Sequence, residues 1–444
     1  MNIVIIGAEA AGMSAAAKAR RSAKDATITV FEQSQVVSFG ACGLPYFVGG
    51  FFDQPSYMAE RSVEQFQASG IDLRTGHQVL KIDTSTQQVR VKELATGQEF
   101  SQPYDKLMIA TGASVVRPPI KGLDLANVHF VKTMDDGLKL RQLAEQSDIN
   151  DVVVIGAGYI GLEMVEALHK QGKRVRLVEL GERVLSESFD TEVSEAIQAE
   201  LLRHDVDVHL GEMVQALQGD DKVATVVTNQ GQYNADLVIV ATGVRPTTEF
   251  VADTGIERLA NGAIVIDAQG RTSLPNVYAA GDCATVWHRI SQQAVYIPLA
   301  TTANKIGRII GENLAGASRA FAGTLGSAAV KVMDVEAGRT GISTKEAEQL
   351  GLHTKTVFIR DKNTTNYVPW QQDIAVKLIY EADSKVIVGG QLVGGAGAVL
   401  RVDTLAAAIH SGMTTEDLGM LDLCYAPPFA RTWDALNVAG NVAK

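Results

Sequence analysis

The stretch VVSFGACGLPYFVGG, residues 36–50, sets one cysteine, Cys42, among glycines and small or apolar residues. A thiol there can serve as a nucleophile in its thiolate form, and a helix starting near residue 42 would favour that form through its positive N-terminal end. Two other groups could do chemistry. Gly156-x-Gly158-x-x-Gly161 is a complete dinucleotide fingerprint, and Gly7-Ala8-Glu9-Ala10-Ala11-Gly12 is a variant of it. In such a turn the first glycine permits a tight bend, the second lets backbone approach a pyrophosphate, and the third allows close helix–strand contact. Glu179, eighteen residues after Gly161, can accept hydrogen bonds from an adenosine ribose and would repel a 2′-phosphate, so NADH is expected over NADPH. Arg174, Arg176 and Arg183 lie nearby in sequence. In the first turn glutamate replaces the central glycine; a side chain pointing away from the phosphates would be tolerated, and Glu32, twenty residues past Gly12, keeps the ribose role. The competing reading is that Glu9 marks an empty site.

These turns need elements to hold them. NIVIIGAEAAGMSAAAKARR reads as strand, small-residue turn and helix, followed by the strand TITVFE ending in Glu32. The same grammar recurs over residues 151–179, so two nucleotides are expected. YDKLMIATGA (104–113) and ADLVIVATGVRP (235–246) close the two units, and GRTSLPNVYAAGDCA (270–284) returns to the first. From about Phe321 onward strand-rich segments and a helical stretch near RVDTLAAAIHSGMT suggest an α+β domain. The expected fold is therefore α/β: two doubly wound, Rossmann-like domains, one inserted in the other, and a C-terminal α+β domain. The expected boundaries are 1–115 with 248–320, then 116–247, then 321–444.

Composition narrows the class. The chain has 444 residues, long enough for two or three cores, with 46% hydrophobic residues, 20% charged residues and 41 glycines, as in soluble α/β proteins. A net charge of -11 argues against nucleic acid or an anionic membrane as partner, because binding either needs a basic surface. The N-terminus enters a strand-like run directly, without a basic leader or small-residue cleavage site, and no uncharged apolar run reaches membrane-helix length, so a cytoplasmic location is expected. Three cysteines, Cys42, Cys283 and Cys424, are too few and too scattered for a disulfide framework or a zinc site, and no metal is expected.

With YAAGDCA at 278–284 and the two ATG strand ends at 110–112 and 241–243, the sequence resembles the pyridine nucleotide-disulfide oxidoreductases over nearly all its length. The resemblance implies FAD in the first domain, with Asp282 on the ribityl chain. The cofactor-facing residues it implies are Gly7, Ala11, Gly12, Glu32, Thr111, Gly112, Asp282 and Ala300 for FAD. For NADH, or NADPH, they are Gly156, Gly158, Tyr159, Ile160, Gly161, Glu179 and Gly243.

Dithiol members of that superfamily carry two cysteines in a C-x₄-C helix; SFGACGLPYFVGG is similar to the single-cysteine branch of coenzyme A-disulfide reductases, NADH oxidases and NADH peroxidases. A lone cysteine cannot close an internal disulfide, so its oxidised form must be a mixed disulfide, here with coenzyme A, or a sulfenic acid. Cys283 and Cys424 suit the plainer role of small buried hydrophobes. Oxidases and peroxidases of the branch typically carry a histidine in the first glycine turn, where this chain has Ala10. LCYAPPFA and TTNYVP resemble the coenzyme A-disulfide reductases, which implies that Tyr425 and Tyr367 of one subunit of a homodimer reach Cys42 of the other. Ser14, Lys18, Arg21 and Ser38 match family contacts to coenzyme A, and Asn304 stands where a substrate-contacting histidine can occur. Lys18 and Arg21 could equally be a solvated helix face. The alternative activity is an NADH oxidase that reduces oxygen through flavin and a Cys42 sulfenic acid. From another class, a redox sensor signalling to a partner finds no appended domain to support it.

Overall fold

The structure, a computed structural model, describes residues 1–444. The apolar runs NIVII, TITVF and KLMI become neighbouring parallel strands because both faces of such a sheet are covered and nearly every side chain must be apolar. The first sheet runs Val277–Ala279, Lys106–Ile109, Asn2–Ile6, Thr27–Phe31, Asp72–Arg74, all parallel. The second repeats the plan: Asp207–His209, Arg174–Val178, Asp151–Ile155, Leu237–Val240, Val128–His129. Each is accompanied by a three-stranded antiparallel sheet, His77–Asp83 with Gln88–Glu93 and Glu99–Pro103 in the first, Val214–Gln218 with Thr225–Thr228 and Gln232–Asn234 in the second. The chain passes between the units at Ala113–Val115 and Val244–Pro246, which pair antiparallel.

A five-stranded antiparallel sheet follows, in the order Ala328–Val332, Val335–Gly341, Ile387–Gly394, Asp373–Glu381, Thr354–Lys362, with the helix Ala398–His410 packed on the Val335–Gly341 and Ile387–Gly394 strands. It docks on the second unit through both apolar and ionic contacts. Val330, Val332 and Ala337 share a core with Leu162 and Val165, and the buried Lys377 ammonium is held by Glu192 at 2.7 Å and Asp190 at 3.2 Å.

The cysteine-bearing segment falls in the stretch expected to form the first unit, yet Leu44, Phe47 and Val48 join the core of the second, against the Met134–Ala144 and Tyr159–Lys170 helices. Chain position and packing disagree here because the short helix Leu44–Val48 buries its apolar face against whichever surface offers one. No helix of the structure is long and apolar enough to cross a membrane.

Candidate active site

The two glycine turns are built alike. Gly7 has φ +103° and Gly156 φ +105°, values that favour glycine, and a Cβ on either would drive into a strand-end carbonyl, that of Ala110 or Ala241. The third glycines, Gly12 and Gly161, lie so close to the Gly7 and Gly156 carbonyls that a methyl group could not fit. Each turn opens a helix, Ala10–Ser22 and Tyr159–Lys170, whose first amides point into the space before it.

Both acidic residues take the same post. Glu32 accepts from the Ala8 amide at 2.9 Å and the Ser34 amide at 2.8 Å; Glu179 accepts from Ala157 at 2.6 Å and Gly181 at 2.7 Å. These bonds fix each carboxylate beside its turn. At Gly158 a Cβ would meet nothing within 4 Å, so packing alone does not demand glycine. A dinucleotide whose diphosphate lies against the helix start fits this donor set and this open approach. Arg174 and Arg176 are tied to Asp151 and Asp207, and Arg183 to Thr191, which commits the nearby cations elsewhere.

In the first unit Ala11 packs under Gly281 and Gly307, Thr111 donates to the Thr247 carbonyl at 2.7 Å, and Gly112 has φ +66°. Asp282 follows the Val277–Ala279 strand and caps no helix; the next helix begins only at Ala300. Its carboxylate lies 4.0 Å from the Lys132 ammonium, and burial raises it above the ordinary aspartate range. Lys132 carried no sequence signal beyond standing before the capping box Thr133–Asp136. Glu9, the N-cap of the Ala10–Ser22 helix, makes no side-chain bond to the helix amides. Its carboxylate accepts from the Phe39 amide at 3.2 Å, and burial, then the charge of Glu32, pushes it up to about 7.

Cys42 is exposed and lies in the tight turn Ala41–Gly43, directly before Leu44–Val48. The expected acidic thiol is not what this arrangement produces. A five-residue helix contributes little dipole, while burial around the sulfur, then the carboxylates of Glu163 and Asp282, pushes the thiol above its usual range. Glu163, from the Tyr159–Lys170 helix, accepts from the Tyr46 hydroxyl at 3.5 Å and is itself pushed up to about 7, chiefly by burial. Neither residue stands out in the sequence, since both look like ordinary positions of apolar-patterned helices. Arg141 donates to the Phe47 carbonyl at 2.8 Å, Gln171 to Val48 at 3.3 Å and Lys170 to Gly49 at 3.0 Å. The second unit thus holds the cysteine segment by its C-terminal end.

The residues matched to coenzyme A divide. Ser14 donates to the Asn304 side chain at 2.7 Å across the seam between Ala10–Ser22 and Ala300–Leu314, and Lys18 pairs with Glu312 at 2.9 Å on the same seam. Arg21 is exposed at the helix end, and Ser38 sits near Glu9 with φ +50°. Tyr159 is half-buried beside Phe189, whereas Ile160 and Gly243 are exposed. Tyr367 and Tyr425 are both exposed on the C-terminal unit, where a hydrogen bond between their phenols raises Tyr425. Within one chain no hydrogen bond joins either to the Cys42 turn. Cys283 is buried, its thiol near the Ala280 carbonyl at 3.3 Å, as expected, but Cys424 is exposed beside Tyr425, because its segment crosses the surface.

Residues 1–307 match the family described as pyridine nucleotide-disulphide oxidoreductase, and residues 327–436 match the dimerisation domain of that family. The chain belongs to this family. This oxidoreductase is 40% identical over 442 residues to the NAD(P)H coenzyme A polysulfide/persulfide reductase of Pyrococcus horikoshii, covering 100% of this chain and 98% of the relative. Its fold is similar to that of an NAD-dependent persulfide reductase from A. fulgidus, with TM-score 0.96, 36% identity, and 100% of this chain and 83% of that one covered. It is also similar to the water-forming NADH oxidase from Lactobacillus brevis bound to NADH, with TM-score 0.95, 31% identity, and 99% and 97% covered. The resemblance read from the sequence and the α/β class expected of it hold, and the oxidoreductase is an enzyme.

Proposed function

We propose that the chain is an FAD-dependent NAD(P)H oxidoreductase that reduces coenzyme A disulfide, or a related small disulfide, through Cys42. FAD is assigned to residues 1–115 with 248–320, NADH to residues 116–247, and dimer contacts to residues 321–444. Bound FAD supplies the two-electron link between a hydride donor and sulfur. Glu32 and Asp282 orient its ribose and ribityl hydroxyls, and Glu179 orients the ribose of NADH, with the committed arginines leaving a 2′-phosphate unmatched.

At sulfur, the Cys42 thiolate attacks one sulfur of the disulfide, forming a Cys42–coenzyme A mixed disulfide and expelling one thiolate. Two electrons then break that bond, returning the Cys42 thiolate and the second thiol. Each cycle consumes one NADH, one proton and one disulfide and releases two thiols. Tyr425 and Tyr367 of a second copy stand to donate to the departing thiolate. Ser14, Ser38, Lys18, Arg21 and Asn304 are proposed to meet the nucleotide end of coenzyme A, for which Lys18 must exchange Glu312 for phosphate.

The observation that carries this reading is the exposed Cys42 with no partner cysteine in its own chain: Cys283 is buried and Cys424 lies on the C-terminal unit, so oxidation within one chain has to recruit a small thiol or oxygen. The coenzyme A-linked name of the 40% identical Pyrococcus relative supports the first. Likeness to the Lactobacillus brevis oxidase supports the second reading, reduction of oxygen through a Cys42 sulfenic acid, against which stands Ala10 where the oxidases carry histidine.

Purified protein mixed with NADH and coenzyme A disulfide without air, then with NADH under air, separates the two. Thiol release that disappears in Cys42→Ser supports the reductase. Oxygen uptake without thiol release assigns the oxidase.

A further inference from the structure

The two dinucleotide turns can be compared residue by residue. Glu9 and Gly158 are the N-cap residues of their helices, with φ −92°, ψ −160° and φ −79°, ψ −175°. The preceding glycines, the closely packed third glycines and the anchored acids Glu32 and Glu179 match as well. The turns differ in what stands at the cap. At Gly158 the space is open; at Glu9 the cap carries a carboxylate that bonds none of the helix amides and accepts instead from the Phe39 amide of the cysteine loop.

We propose that Glu9 makes flavin retention depend on pH, its carboxyl admitting the FAD diphosphate when protonated and repelling it when ionised. This rests on the assignment of FAD to the first unit.

Charge and burial both support it. The groups facing Glu9 are Glu32 from the end of the Thr27–Phe31 strand, Asp282 from the turn after Val277–Ala279, Lys132 before the Met134–Ala144 helix, and the Phe39 amide from the cysteine loop. Two are acids, and the one cation lies 4.0 Å from Asp282. Burial and Glu32 already hold the Glu9 carboxyl at about 7 in the chain alone. A diphosphate at the same helix start adds two negative charges, so the complex holds the Glu9 proton to higher pH than the free chain does. Binding is then linked to uptake of one proton, and affinity falls by up to about tenfold per pH unit above 7. A neutral Glu9 carboxyl also gains a donor that can meet a phosphate oxygen.

The test titrates the flavin-stripped, full-length chain with FAD at pH 6, 7, 8 and 9, reading quenching of flavin fluorescence, alongside E9Q and E9V. E9Q keeps the shape of the side chain, and E9V covers the case in which the amide disturbs the turn. Expected is a dissociation constant that rises about fivefold from pH 7 to pH 8 in the natural chain and changes less than about twofold in either variant. An equal slope in the variants, or no slope in the natural chain, overturns the role of Glu9. Failure of all three proteins to bind FAD at every pH overturns the flavin assignment itself.

Discussion

The Arg141 guanidinium donates to the Phe47 carbonyl at 2.8 Å, and with it the second α/β unit grips the segment that carries Cys42. Lys170 and Gln171 complete the grip on the carbonyls of Val48, Gly49 and Gly50. These donors satisfy the last carbonyls of a five-residue helix that could not persist alone.

Arg141→Ala therefore loosens residues 44–51 first. A charged hydrogen bond to a buried carbonyl contributes about 1.5–3 kcal/mol, so the midpoint of thermal unfolding falls, and limited proteolysis cuts within 44–53 sooner than in the natural chain. Unchanged protection of that segment argues against the grip.

Gly158→Ala and Gly161→Ala separate binding from folding. A methyl at residue 158 meets no atom of the chain and the backbone there is ordinary, so stability changes by no more than ~0.5 kcal/mol. NADH affinity, measured by fluorescence titration, drops by on the order of tenfold because the methyl stands where pyrophosphate approaches. At residue 161 the methyl collides with the Gly156 carbonyl, and stability drops by roughly 1–3 kcal/mol.

After burial, Glu163 is the group that most raises the Cys42 thiol. Above pH 7 its carboxylate is charged and disfavours the thiolate; below that it is protonated and the repulsion fades. Glu163→Gln accordingly speeds iodoacetamide labelling of Cys42 at pH 8 by roughly threefold or more, because removing the charge raises the thiolate fraction. At pH 6 the variant and the natural chain label at similar rates. A constant ratio across pH removes Glu163 from this role, because Asp282 and Lys132, the other charges facing the sulfur, remain in both proteins.

Glu179→Ser removes the charge that opposes a 2′-phosphate. The ratio of kcat/KM for NADH over NADPH should fall by on the order of tenfold. It should not invert, since Arg174, Arg176 and Arg183 stay bound to Asp151, Asp207 and Thr191. No change in the ratio places cofactor choice in other residues.

Much of this was legible in the residue order. Strand, glycine turn, helix and acid are local patterns, and the close contacts of Gly12 with Gly7 and of Gly161 with Gly156 act within one βαβ unit, so the two glycine turns and the acids that follow them could be read without a fold, whereas the Ala110 and Ala241 carbonyls that bar a side chain at Gly7 and Gly156 come from distant strands. Cys42 was visible because a solitary thiol among glycines is a matter of composition. The tertiary structure decided the rest. Lys132, Tyr46, Glu163 and Arg141 come from segments far in sequence from the groups they touch, 117 residues between Tyr46 and Glu163 and more between Lys132 and Asp282, and burial and charge at close range, which no local pattern encodes, push the Cys42 thiol up where a helix end was expected to bring it down. The same holds for Glu9: its replacement of glycine is plain in the sequence, but only packing sets its carboxyl among Glu32, Asp282 and Lys132 and so gives it a proton to hold.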